Sequence, residues 1–214
     1  MKGKKLFYIA VFFSLIAILY GCNGRNSRAY LEDRIGNQIS RVYPTKNLED
    51  LFEQFPNGFT IYQSYQLSDK FIDIVLDGVE KGKPIEGTIK QINRKSGAEE
   101  KKIEVKYDSG KFSYDNEEEA RKLWPIEKFL FQEMTLNKEI LSKFKLKDTY
   151  YNRNSGGFDL EYIVKNEQIN EFLGLENQLQ VTLGFHGSNA NRGYYYTLTV
   201  ELDKNFKFRE RIEE

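Results

Sequence analysis

The chain of 214 residues has one cysteine, one histidine, one tryptophan and four prolines. A single cysteine excludes any intrachain disulfide and any thiolate zinc cluster. A single histidine leaves no paired-imidazole metal site. Acidic and basic residues balance at 32 each, so no excess of positive charge points to nucleic acid. No Pro/Gly/Ser-rich stretch divides the middle of the chain, which fits one domain or two small ones. Aromatics are plentiful, with 14 Tyr and 16 Phe, so a core without staples is affordable.

The amino terminus has its own pattern. Lys2, Lys4 and Lys5 form a basic start, and Leu6 to Leu19 is apolar apart from the hydroxyls of Tyr8 and Ser14. That run holds 14 residues, short of the roughly 20 a membrane-spanning helix needs. A charged start, a short apolar core and a small residue before a cut describe a cleaved signal peptide over residues 1–21. The only cysteine, Cys22, directly follows Leu19-Tyr20-Gly21. These residues resemble the lipobox of bacterial lipoproteins, although Tyr20 stands where a small residue is usual. The resemblance implies a diacylglyceryl thioether on Cys22 and cleavage between Gly21 and Cys22. Two acyl chains suffice for stable anchoring, at about 0.8 kcal/mol per buried methylene. Loss of Lys2, Lys4 and Lys5 leaves the mature chain with 29 basic against 32 acidic residues.

Residues 22–28 read as a polar, flexible tether, with Arg25 and Arg28 placed to sit near anionic lipid heads. Residues 29–214 read as an α+β domain. Ser27 is placed to cap a helix to about Val42, stopped by Pro44, and Asn47 to cap a second. From Gly58 the period changes to two. Strands follow at 59–65, 71–76, 87–92, 102–107 and 111–114, with Asp77-Gly78, Lys95-Ser96-Gly97 and Asp108-Ser109-Gly110 between them. Connections this short make hairpins, so the sheet is expected to be antiparallel. A helix opens at Asp115-Asn116 and is interrupted at Trp124-Pro125, a second piece follows over 126–131, and a further short helix over 137–144. Strands return at 150–151 and 158–164, a helix at 167–173, and a closing meander at 179–185, 194–202 and 206–212. Strands and helices in separate runs argue α+β. Tyr43-Pro44 and Trp124-Pro125 each sit beside a helix, an echo that allows two similar halves.

The segment Tyr43-Pro44-Thr45-Lys46-Asn47-Leu48-Glu49-Asp50-Leu51 resembles a motif of the staphylococcal tandem lipoproteins. Gly87 to Arg94, ending in Asn93-Arg94, and Pro125-Ile126-Glu127-Lys128 are similar to two further family segments. The stretch after Leu51 is shorter than the family's, and the segment after Lys128 diverges. The resemblance implies a lipoprotein of Gram-positive bacteria on the outer face of the cell membrane, with no established enzymatic activity and a link to host interaction.

A search for chemistry gives little. His186 stands in Gly184-Phe185-His186-Gly187-Ser188. Neither Ser188 nor Ser155 has the surroundings of a nucleophile elbow. Glu117-Glu118-Glu119 lacks the spaced ligands and glycine hinge of a calcium loop. Asn152 to Gly157 lacks the lysine of a phosphate loop and reads as a hairpin turn. No catalytic, metal or cofactor site is assigned. Tyr194, Tyr195 and Tyr196 form the candidate interaction surface, because alternation exposes at least one of them if one face is covered. The expected function is a monomeric, membrane-anchored surface lipoprotein that binds a partner, such as a host protein or receptor, rather than catalysing a reaction. The alternatives are a substrate-binding lipoprotein of a transport system and, third, a hydrolase.

Overall fold

In the computed structural model, residues 24–67, 69–188, 195–203 and 206–214 are described. The period-two segments form ten strands: β1 Phe59–Leu67, β2 Lys70–Gly78, β3 Ile85–Asn93, β4 Glu99–Asp108, β5 Lys111–Tyr114, β6 Lys145–Tyr151, β7 Phe158–Val164, β8 Val181–Gly187, β9 Tyr195–Glu201 and β10 Phe206–Glu213. They make one sheet in the order β5-β4-β3-β2-β1-β10-β9-β8-β7-β6. Every pairing is antiparallel, including β1 with β10, which no hairpin joins, and β7 with β8, which are linked through a helix. The sheet is two five-stranded meanders joined where β1 meets β10. The chain runs outward from the middle in the first meander and inward from the edge in the second.

Helices lie in separate runs, so the architecture is α+β: α1 Arg28–Ile39, a 3-10 helix Leu48–Glu53, α2 Glu117–Leu123, α3 Leu130–Glu133, α4 Lys138–Lys143 and α5 Glu167–Phe172. Their starts are written in the sequence. Ser27, Asn116, Asn137 and Asn166 each accept a hydrogen bond from the backbone N–H three residues on. Asn47 makes no such bond and instead reaches Asp50. The tether is also shorter than its composition suggests. Gly24–Asn26 forms a 3-10 turn, and the Thr149 hydroxyl of β6 donates to the Asn26 carbonyl at 3.0 Å. Arg28 belongs to the fold, held by Glu32 at 2.7 Å and by the carbonyls of Leu141, Ser142 and Phe144.

Register places all inward residues on one face. Across the sheet, Ile103, Ile89, Ile74, Gln63, Glu210, Leu198, Phe185 and Leu160 fall in a single row. The helices cover this face crosswise. α1 precedes the first meander but covers the second: Arg34 stacks over Phe158, and Tyr162 of β7 donates to Glu32 at 2.9 Å. α2 and Trp124 cover the first, with Trp124 edge-on to Phe112 at 5.0 Å. Gly36 lets α1 approach α4, since a Cβ there would lie 2.6–2.7 Å from Lys138 backbone and Cβ atoms.

Two polar residues interrupt the apolar row where the meanders join. Glu210 is fully buried and accepts from Tyr43 Oη (2.7 Å), Leu130 N (2.6 Å), Phe131 N (3.0 Å) and Gln63 Nε2 (3.2 Å). Gln63 Oε1 in turn accepts from Trp124 Nε1 at 2.9 Å. One buried carboxylate therefore ties together both central strands, the segment after α1 and the segment after α2. Burial raises the Glu210 carboxyl to about 7, and its donors pull against that rise.

Candidate functional site

Gly21, Cys22 and the whole of 1–21 lie outside the described residues, as does Tyr194. Tyr195 opens β9 opposite Glu213. Tyr196 packs on the covered side, its ring 6.1 Å from Phe158. Of the three tyrosines, Tyr196 alone has a side chain among the described residues. Ser155 belongs to a turn in which Asn152 Oδ1 accepts from the N–H groups of Asn154 and Ser155, as its composition suggests. Glu117, Glu118 and Glu119 pair with Arg121, Lys122 and Lys101. Among the described residues no group of three His, Cys, Asp or Glu side chains could hold a metal ion. Nor is any described helix long and apolar enough to cross a membrane.

Among the described residues no helix packs on the second face of the sheet, which presents polar side chains in rows. One row reads Thr88, Val75, Tyr62, Arg211, Thr197, His186, Asp159 and Tyr150. The adjoining row holds Lys90, Asp73, Ser64, Arg209, Thr199 and Gly184. In this setting His186 Nδ1 meets Asp159 Oδ1 at 2.5 Å, and its Nε2 meets Thr199 Oγ1 at 3.0 Å. Gly184 makes the room, because a Cβ there would come 2.6 Å from Thr199 Oγ1. Hydroxyl, imidazole and carboxylate thus stand in the order of a nucleophile, base and orienting acid. Access is the obstacle. Thr199 is only 4% exposed, and it sits mid-strand between β8 and β10, where backbone N–H groups serve the ladder rather than an oxyanion. What the arrangement does is hold the imidazole edge in a fixed pose beside a recess of about 180 Å³ lined by Asp148, Thr149, Tyr150, Asp159, Glu161 and His186.

A second cluster lies at the middle of the open face. Arg211 stacks over the Tyr62 ring at 4.1 Å, and Arg209 lies near Asp73. Burial raises the Asp73 carboxyl, while Arg209 and Lys90 hold it down. These residues border a recess of about 300 Å³.

No family model matches this chain, and no curated protein does. His186 was visible in the sequence, but its partners were not, because Asp159 and Thr199 meet it only through the β7–β8–β9 register. Alternation gave a partial signal: Leu160 and Phe185 face inward, so Asp159 and His186 face out together. Glu210 was missed although it shares its parity with Phe208 and Ile212.

Proposed function

We propose that this chain is a lipoprotein held on the outer face of a cell membrane by a diacylglyceryl thioether on Cys22. Its domain presents the open sheet face to a partner, and the resemblance to tandem-type surface lipoproteins favours a role in host interaction. The observation that carries the anchor is the unique Cys22 directly after Leu19-Tyr20-Gly21 and a basic, then apolar, leader. The binding reading draws on polar and charged side chains standing in register on a face that no described helix covers. A host protein or receptor is the partner class this reading takes.

The test of the anchor is Cys22→Ala. The substituted chain is expected to lose palmitate incorporation and to leave the membrane fraction. Undiminished labelling and membrane retention would overturn the reading. A hydrolase is the second reading, favoured by the Thr199–His186–Asp159 contact. The 4% exposure of Thr199 weighs against it, since a nucleophile must reach its substrate.

A further inference from the structure

We propose that the β6 edge of the sheet, with Tyr30 of α1, is a membrane-docking surface that rests on anionic headgroups of the bilayer holding the anchor. The inference rests on the anchoring at Cys22 argued above and adds an orientation to it.

The reach of the chain between Cys22 and the sheet is short. Gly24–Asn26 already forms a 3-10 turn, and Asn26 is fastened to Thr149 of β6. Two Cα steps separate Cys22 from Gly24, a reach of about 7 Å at full extension. The headgroup layer on each side of a bilayer is itself roughly 5–7 Å thick. A body tied this closely cannot stand off from the surface. The part beside the tie must touch it, and that part is the outermost strand of the sheet.

That edge also carries side chains suited to a membrane interface. Among the described residues three large apolar side chains stand exposed, Tyr30 (39%), Tyr150 (51%) and Val79. Two of the three flank the point where the chain leaves for Cys22. Tyr150 lies on the open face of β6. Tyr30 lies on the helix side, its ring edge-on to Tyr151 at 6.2 Å. Tyrosines with an apolar body and a polar tip suit the membrane interface. Around them Arg25, Lys145, Lys147 and Arg153 are exposed, against one exposed acid in the same stretches, Asp148. Lys147 also reaches Glu161 of β7 at 2.9 Å. Basic side chains near a surface are drawn to anionic lipid. At the opposite edge, acids and bases are mixed: Asp108, Asp115 and Glu117 to Glu119 stand beside Lys111, and the three glutamates pair with Arg121, Lys122 and Lys101. Nine strand spacings of about 4.8 Å place that edge roughly 43 Å away along the sheet.

Lysines on an edge strand also guard against sheet-to-sheet pairing. That accounts for Lys145 and Lys147. It does not account for exposed tyrosines on both sides of the edge, or for Arg25 outside the strand.

The test uses the chain from Cys22 onward, which contains every described core residue. Its single thiol is coupled to maleimide-headgroup lipid in vesicles of phosphatidylcholine and phosphatidylglycerol with brominated acyl chains. Tyr150→Trp probes the β6 edge and Ser113→Trp the β5 edge, while Trp124 is wholly buried and common to both. Asn154→Trp serves if Tyr150→Trp does not fold. The β6 probe is expected to be quenched roughly twofold and the β5 probe not at all, as interfacial depth dictates. Adding Arg25→Glu and Lys145→Glu is expected to weaken that quenching. Equal quenching at both edges, or none at either, overturns the proposal, as does an unquenched β6 edge in a chain that dimerises by light scattering. Lipidation in the cell is read separately by palmitate incorporation, so its failure is distinct from failure of the orientation.

Discussion

Glu210 and Asp159 stand on opposite faces of the same sheet. Glu210 faces the helices, is wholly buried and is satisfied by four donors from three segments of chain. Asp159 faces away and is satisfied by one imidazole on the neighbouring strand. On the covered face a carboxylate joins elements far apart in sequence. On the open face the partners of a carboxylate are cross-strand neighbours whose pairing the sheet already fixes. Removing the first should therefore damage the fold, and removing the second should leave the fold and change the surface.

The largest expected effect follows at Glu210. Glu210→Ala leaves buried N–H and O–H groups without an acceptor, which costs about 3–5 kcal/mol. Chemical denaturation at neutral pH measures this loss. The same group gives a pH dependence. Its carboxyl rises from the ordinary 4.5 to about 7 on folding. Below the lower value both states are protonated and the stabilisation is complete. As pH rises through the window the unfolded chain ionises first, so stability falls, by roughly 3 kcal/mol in all, and levels above the upper value. Glu210→Gln cannot titrate and should flatten that slope. A wild-type slope unchanged by this substitution would assign the pH dependence elsewhere.

A smaller loss is expected where α1 meets α4. A Cβ at Gly36 would push against Lys138 backbone atoms at 2.6–2.7 Å. Alanine is the better helix former by about 1 kcal/mol. The forced shift of one helix outweighs that gain, and overpacking of this kind costs about 1–3 kcal/mol. A net loss in thermal or denaturant stability is the outcome. A gain would mean that α1 rides loosely on its neighbours and that the cover over the second meander is slack.

Much of this contrast was readable from sequence, and its limits have physical reasons. The alternation in Phe59–Tyr65 and Phe158–Val164 fixed strands and inward parity, and the Ser27 cap and the helix openings at Asn116 and Asn137 fixed helix starts. Lys145–Lys147 did not read as strand, because alternating lysines on an outer strand leave little apolar signal. Strand order was also hidden, since hairpin spacing says which strands are sequential but not that β1 joins β10. Without that junction nothing brings Gln63 and Glu210 together, or Tyr43 beside Phe131. Cover by α1 of strands more than a hundred residues later is likewise a tertiary fact. The His186 partners needed the register of three strands, whereas the Cys22 pattern is local and needed no fold.

The smallest stability effect is expected at His186, and it bears most on function. His186→Ala removes contacts to Asp159 and Thr199 on a face that water reaches. Asp159 can be solvated in place, so the loss should stay within about 1 kcal/mol, as for exposed ion pairs. Thr199 is different, because its hydroxyl is nearly covered and loses its partner beneath the missing ring. A bridging water in the vacated space would restore that bond at little cost. The same substitution removes the one imidazole edge held in a fixed pose beside the recess of Asp148, Tyr150 and Glu161. If the open face is for contact, His186→Ala should leave the melting curve almost unchanged and weaken partner capture. A large drop in melting temperature would instead make the His186 cluster part of the scaffold, and the division of labour between the two faces would then be wrong.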